Sequence, residues 1–410
     1  MSVPPVALLT SCWFAICGIW VGLLIAQCSA KRRGLFLSVQ PEEASAGNGK
    51  SEPRPTVSVV IPARNEGRNL AECVTSVLAQ DCRPIEVVVA DDRSDDDTIV
   101  NLRNAVGPDP RLRSIRIDSL PPGWLGKSHA LWQATRALTG EWILFVDADC
   151  TLAPWAVRTA VEEAMRGDIG LMTLWPRIRA ERFWEHLMIP LCAGIIALWY
   201  GSGRVNDSRS KLAFANGQFL LIRKDEYDRI GGHRAIRRAI IEDIPLAECA
   251  KRAGVKCHVA SGRELFSVRM YCTYTAIRDG WARIYVGALR SSMKIALSVF
   301  WLVLGSLLPF AAALAMLTSA ASGSFPYEVG PGVSVALHVC CGLHLALLMG
   351  VSFNFWGFGG CRRRYLFLYP FSVLLVILIL CRAWWWLTVK RVICWSGTTY
   401  RINNRGQIVG

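Results

Sequence analysis

The sequence predicts an α/β domain on a mostly parallel sheet, with membrane helices before and after it in the chain. Three observations lead there. Short β-branched runs alternate with helical stretches between residues 57 and 146, the pattern of parallel βαβ units. Two of those runs end in paired carboxylates, Asp91-Asp92 and Asp147-Ala148-Asp149. Long uncharged stretches lie near the N-terminus and through the last third of the chain. The 410 residues suffice for one such domain plus its membrane segments. A 52% hydrophobic content and a mean hydropathy of +0.30 agree with the membrane part.

The elements follow in order. Val6 to Gln27 is apolar, uncharged and long enough to span a bilayer. Lys31-Arg32-Arg33 follows it and no basic residue precedes it, so the positive-inside rule puts residue 31 onward in the cytosol. A cleaved signal peptide competes, since Cys28-Ser29-Ala30 offers small residues, but the uncharged start argues against one. Residues 1–33 are therefore expected as an anchor. Residues 34–55, with Pro, Ser, Gly and mixed charge, are expected as a flexible linker. Val57 to Ile61 reads as a buried strand ending at Pro62-Ala63-Arg64-Asn65-Glu66, and a helical pattern runs from Gly67 to Gln80. Ile85 to Ala90 reads as the second strand. Acids crowd its end, from Asp91 to Asp97. Asp95 or Asp96 suits the cap of the next helix. Asp91 and Asp92 lie outside that explanation, where a carboxylate can accept from a base N–H or a ribose hydroxyl.

Trp142 to Val146 reads as the next strand, and Asp147 and Asp149 follow it at i, i+2. In extended chain such residues share a side. They would face the space beyond the strand's carboxyl end, where open α/β sheets bind ligands. Two hard oxygen donors suit Mg²⁺ or Mn²⁺. Solvated acids at a strand end would show the same spacing, so the pair gains its meaning from its company.

That company resembles a known family. Val59 to Glu66, Asp91 to Thr98, Asp147-Ala148-Asp149, Asn216-Gly217-Gln218-Phe219, Gly231-Gly232-His233 and Ile241-Glu242-Asp243-Ile244 stand in the order of family 2 glycosyltransferases of the GT-A fold. The resemblance covers residues 55–290. Pro121-Pro122-Gly123-Trp124-Leu125-Gly126-Lys127-Ser128 is similar to the membrane-bound branch that includes hopanoid-associated, carotenoid and ceramide glycosyltransferases. Two departures stand out. Family members often carry Gly where Arg93 and Asp97 stand. The Gln/Arg-x-x-Arg-Trp motif of processive and ceramide-type members has only a reordered counterpart, Arg278-Asp279-Gly280-Trp281-Ala282-Arg283.

The resemblance implies roles for particular residues. Pro62, Arg64, Glu66, Asp91, Asp92, Lys127 and Asp147 would hold the nucleotide sugar. Asp149, supported by Asp147, would hold a divalent metal. Asp243 is the candidate base, with Glu242 beside it in the catalytic pair; helix-start acids answering the helix dipole would look the same. Gly217, Gln218, Arg278, Trp281 and Arg283 would meet the acceptor or the diphosphate. Gly217 suits a close backbone approach, though a plain turn would also use it.

The rest of the chain is read as membrane. Ile295 to Ala321 and Val333 to Trp356 read as a hairpin of spans, with Cys361-Arg362-Arg363-Arg364 cytosolic. Leu366 to Val389 reads as a third span, which would put the basic tail outside; a re-entrant or interfacial course removes that conflict. His338 and His344, six apart, read as packing residues. Phe183 to Tyr200, interrupted by Pro190, reads as an interfacial helix within residues 181–203, with a buried core helix as the alternative. Trp384-Trp385-Trp386 reads as an interface belt. The domains expected are thus 1–33, 34–55, 56–290, 291–390 and a tail, 391–410.

Net charge is +14, from 46 Lys+Arg against 32 Asp+Glu. No zinc-finger spacing or RNP-like motif points to nucleic acid, so anionic lipid and a nucleotide-sugar diphosphate are the expected partners. The 15 cysteines are scattered without a disulfide or zinc pattern. The function expected is an inverting, metal-dependent transfer from a nucleotide sugar, read as a UDP-sugar, to a lipid hydroxyl. The enzyme would be integral to the cell or inner membrane with its catalytic domain in the cytoplasm. A processive polysaccharide synthase and a non-catalytic nucleotide-sugar-binding membrane protein are the alternatives.

Overall fold

The structure, a computed structural model, describes residues 5–32, 37, 55–82, 85–322, 331–395 and 397–409. The expected linker therefore lies outside the described residues, apart from 37 and 55. After helix α1 (Pro5–Arg32), the chain alternates β1 (Val57–Ala63), α2 (Leu70–Leu78), β2 (Ile85–Asp92), α3 (Thr98–Val106), β3 (Leu112–Ile117), α4 (Gly126–Thr135) and β4 (Trp142–Val146). It continues through β5 (Cys150–Leu152), α5 (Ala156–Arg166), β6 (Leu171–Trp175), β7 (Arg177–Ile178), α6 (Phe183–Trp199), α7 (Ser202–Asn206), β8 (Phe219–Arg223), α8 (Lys224–Arg229), α9 (Gly232–Ala235) and α10 (Asp243–Arg252). Then come β9 (Cys257–Ser261), β10 (Phe266–Val268) and α11 (Tyr274–Leu289).

Seven strands make the main sheet in the order β3-β2-β1-β4-β8-β6-β9. Its pairs are parallel except where β8 meets β4 and β6. Alternation sorts the side chains between two helical layers. Val59 and Ile61 of β1 face α2 and α5, while Val60 faces α4 and α10. In α2 the buried set is Leu70, Cys73, Val74, Val77 and Leu78, one stripe at helical spacing. Every parallel strand on the β1 side ends at the same edge, because Ala63 pairs with Asp91 and Val60 with Phe145. The loops carrying the acids are thereby brought to one rim.

The remaining chain builds the apolar body: α12 (Ser292–Leu302), a π turn (Val303–Leu307), α13 (Leu308–Ser322), α14 (Pro331–Phe358), a 3-10 turn (Arg363–Leu368), α15 (Tyr369–Trp385) and a second π turn (Trp386–Lys390). A hairpin of β11 (Val392–Trp395) and β12 (Thr398–Arg401) follows. Among the described residues five stretches are long and apolar enough to cross a membrane: 10–29, 183–206, 292–322, 334–358 and 363–390. Among the described residues the cysteines form no disulfide. His344 is a buried packing residue, held by Trp13 and the Gly305 carbonyl.

Two features bear on the membrane reading. Within residues 181–203, read as interfacial with a core helix as the alternative, α6 is largely packed. α15 and α11 cover α6, Tyr285 donates to the Cys192 carbonyl at 3.1 Å, and Trp199 donates to Ser298 at 2.9 Å. The exposed apolar stripe lies instead on residues 363–390: Phe367, Phe371, Leu374, Leu378, Trp385 and Val389. The tail, whose side of the membrane the sequence left open, folds back onto the α/β domain. Ile408 N–H donates to the Arg238 carbonyl at 2.8 Å, and Tyr400 packs with Leu125. The other end of that helical stretch is also tied to the domain, through Ile178 N–H to the Gly359 carbonyl at 2.9 Å and Arg362 N–H to His186 at 3.3 Å.

Candidate active site

Four strand ends and two helix starts converge on one cavity of about 1200 Å³. β1 delivers Pro62, Arg64 and Glu66. β2 delivers Asp92. β4 delivers Asp147 and Asp149. The turn before β8 brings Gly217 and Gln218, the first turn of α4 brings Lys127, and α10 starts at Asp243 with Glu242 as its cap residue.

Lys127 is the electrostatic hub. Its ammonium lies 2.7 Å from Asp147 Oδ1 and 2.6 Å from Glu242 Oε1. Burial alone would lower it, but Asp147 and Glu242 outweigh burial and hold it well above the ordinary lysine value. Burial works against Glu242 too, yet Lys127 wins and Glu242 stays below its ordinary value. Asp243 is placed differently. Burial and the charge of Glu242 push its carboxyl up to about 7, although Ile244 and Gly217 N–H groups donate to it at 2.7 and 3.0 Å. A carboxyl near 7 suits proton transfer at neutral pH. Behind Glu242, His233 accepts or shares a hydrogen bond with Tyr227 at 2.8 Å. Burial drives it down to about 4, so it stays neutral. Gly217 needs its missing side chain: a Cβ there would stand 2.9 Å from Glu242 Oε1 and 3.5 Å from Lys127 Nζ.

Asp149 is short of positive charge, because Lys127 offsets only part of what crowds it. Burial first, then Asp147 and Glu66, push its carboxyl up to about 8. Converging hard oxygen donors short of positive charge fit a divalent ion. Among the described residues no three side chains form a closed cage, so diphosphate oxygens and water would complete the ligand shell, as Mg²⁺ sites commonly allow.

Of the residues read from sequence, Trp281 and Arg283 also line the cavity. Asp91 and Arg278 do not. Asp91 turns away, accepting from Ser94 N–H at 3.0 Å and pairing with Arg116 at 3.2 Å; adjacent strand residues point to opposite faces, and Asp92 took the inward one. Arg278 folds onto Asp279 at 2.8 Å. Arg93, standing where glycine was noted, has φ +58, a left-handed conformation costing an L-residue roughly 1–2 kcal/mol. It pairs with Asp92 at 2.8 Å. Asp97 has φ −76, so that departure carries no strain.

Sequence reasoning missed Tyr271, Trp395 and Tyr400, all in the cavity wall. Arg283 donates to the Tyr271 hydroxyl at 2.8 Å and lies 4.4 Å from the Trp395 ring centre. Gly126 N–H donates to Tyr400 at 3.4 Å, and Arg64 donates to Thr398 at 3.4 Å. The hairpin thus closes one side of the cleft. Its sequence signal was two β-prone runs, Val392 to Trp395 and Thr398 to Tyr400, on either side of Ser396-Gly397; that signal says nothing of the cleft it reaches.

Comparison with known proteins agrees with this geometry. Residues 58–244 match the family model "Glycosyl transferase family 2". Over 262 residues the chain is 29% identical to 4,4'-diaponeurosporenoate glycosyltransferase of Staphylococcus aureus strain USA300, covering 61% of this chain and 66% of that protein. A protein of the same name from strain MRSA252 is 30% identical over 258 residues, 60% of this chain and 65% of the relative. The matches span just under two thirds of these relatives. Among solved structures, mannosyltransferase PcManGT from Pyrobaculum calidifontis, in complex with GDP-Man and Mn²⁺, gives a TM-score of 0.52 at 20% identity. That match covers 92% of this chain and 99% of the other and shows a shared fold.

Proposed function

We propose that the chain is a family 2 glycosyltransferase that transfers a sugar from a nucleotide donor to a lipid, with inversion at the anomeric carbon; the family-model match over residues 58–244 and the shared fold support this reading. The observation that carries this is the shape of the cavity. Acids and Lys127 line one part, and apolar residues of α1, α6 and α14 line the rest. A water-soluble donor and a bilayer-soluble acceptor can therefore meet without the acceptor leaving lipid. The relatives named for a carotenoid acid support an apolar acceptor.

In the proposed reaction Asp243 takes the proton of the acceptor hydroxyl as its oxygen attacks the anomeric carbon. The bond to the diphosphate breaks on the opposite side, so one displacement inverts the centre. Charge gathers on the leaving diphosphate. Lys127 and Arg283 supply positive charge to it from fixed positions, which counts most where water is scarce. Asp149, with Asp147, would hold a divalent cation, whose chemistry here is Lewis-acid neutralisation of that diphosphate. Arg64 and Asp92, which line the cavity at the ends of β1 and β2, would meet the base and ribose. We place the domain on the cytosolic face, on the basic residues that follow α1 and α14. We read residues 363–390 as interfacial, leaving α1, α12–α13 and α14 as spans.

The test is the full chain in liposomes with labelled UDP-sugars, then other nucleotide sugars, and a long-chain apolar alcohol. A singly glycosylated lipid supports the proposal. A ladder of long chains would replace it with the processive synthase, and donor binding without any product with a binding protein.

A further inference from the structure

The N-terminal helix is more than a tether. We infer that α1 forms one wall of the acceptor-lipid site, and that the lipid chain lies between α1 and α6. The inference rests on the lipid-acceptor reading and adds where that lipid binds.

First, α1 lines the same cavity as the catalytic acids. Leu23, Ala26 and Gln27 face it from one side, and Ile195 and Leu198 of α6 from the other. α1 packs chiefly along α14, which leaves the space beside α6 to the cavity.

Second, the cavity has a rim open to the side. Ile25 is 59% exposed and Leu198 39% exposed, and both line it. Two exposed aliphatic residues at the edge of an apolar slot, on helices of membrane character, form an opening suited to a hydrocarbon chain. Continuity with the spanning helices settles the occupant as a bilayer lipid rather than a soluble partner.

Third, the register of α1 is fixed by hydrogen bonds. Trp13 donates to His344 Nδ1 at 3.0 Å, so His344 Nε2 carries the proton it gives to the Gly305 carbonyl at 2.9 Å. Trp20 donates to that same carbonyl at 3.2 Å, and Gln27 to the Val351 carbonyl at 3.3 Å. The Gly305 carbonyl is available because Pro309, four residues on, has no N–H to offer it. Lipid gives helices little hydrophobic drive to associate, so such bonds set which face meets which. A bare anchor needs no defined face. This one keeps Leu23 and Ala26 turned to the cavity.

The experiment compares Ala26→Trp with Gly18→Trp in the full chain in liposomes. Both residues are exposed and small, but only Ala26 lines the cavity. Ala26→Trp is expected to lower kcat/KM for the lipid alcohol roughly tenfold or more, the scale of a misfit in an apolar pocket. Gly18→Trp is expected to match the wild type. Donor affinity, read by titration calorimetry, is expected to be unchanged in both. Equal transfer by all three proteins would overturn the inference. A second reading needs no variant: a lipid alcohol carrying a diazirine is expected to label residues 20–29, and labelling of α6 or α14 without α1 would overturn it. If the wild type glycosylates no lipid at all, the lipid-acceptor reading itself fails, which is a different outcome.

Discussion

Asp243 and Asp149 are both crowded acids, but the residue scale separates their roles. Asp243 receives two backbone N–H groups, and the charge of Lys127 offsets only part of what burial and Glu242 do to it. As a base it must be ionised. With its carboxyl at about 7, transfer to an alcohol should rise with pH through about 7 and be lost as pH falls below it. Asp243→Asn cannot accept the proton, so kcat should fall on the order of 10²–10⁴-fold with donor binding retained. The same variant tests the acceptor chemistry. A carboxylate acceptor arrives already deprotonated, so its transfer should drop far less. Loss of donor affinity with kcat intact would make Asp243 a binding residue. Asp149 resists ionising in the folded state, at about 8 against about 3.9 unfolded. Its contribution to stability therefore falls as pH rises between those values. Asp149→Ala should abolish transfer, fold with a Tm at least equal to the wild type at pH 8, and lose the Tm rise that Mn²⁺ gives the wild type. An Mn²⁺-dependent rise that persists in Asp149→Ala would remove Asp149 as the metal ligand. These acids were legible in the sequence because a strand end and its carboxylates are neighbours in the chain. The choice between Asp91 and Asp92 was not legible. Only the finished sheet tells which of two adjacent side chains faces the cleft.

At the scale of elements, what the sequence hid came from far along the chain. α6 is apolar on nearly every side, which fits a core helix or an interface helix equally well. α15 supplies its cover from about 180 residues later, with Ser372 donating to the Leu187 carbonyl. The hairpin of β11 and β12 is the same kind of case. It reaches Arg64 and Arg283 across more than 100 residues, and no local pattern announces that. Its contribution is testable. Trp395 lies against the Arg283 guanidinium, an interaction worth about 0.5–2 kcal/mol. In the proposed reaction it would hold Arg283 ready for the diphosphate without touching the reacting atoms itself. Trp395→Ala should therefore raise the donor KM about two- to thirtyfold by that energy, and Trp395→Phe should recover most of it. A variant with unchanged donor KM would reduce the hairpin to a surface strap.

At the scale of the whole molecule, the decisive question is which side of the membrane holds the tail. Counting apolar stretches gives one answer and packing gives another. If all of 363–390 crossed, the tail and the α/β domain would lie on opposite faces of the bilayer. Ile408 would then be a membrane's thickness from Arg238, and Tyr400 from Gly126. Both pairs are in contact, and Arg382 reaches Asp279 of α11 at 2.8 Å. A helix of this length tied to the same domain at both ends has room to lie along the membrane face. Its exposed stripe, from Phe367 to Val389, would then face lipid while Val373, Val376, Ile379 and Leu380 face the core. Charge bias points the same way, since Arg362-Arg363-Arg364 and Lys390-Arg391 flank the stretch and basic residues stay cytosolic. A fluorescent protein fused after Gly410 should therefore fluoresce in the cytosol, and alkaline phosphatase at the same position should be inactive. Active phosphatase there would mean that residues 363–390 cross, and it would separate the hairpin from the site it is seen to close.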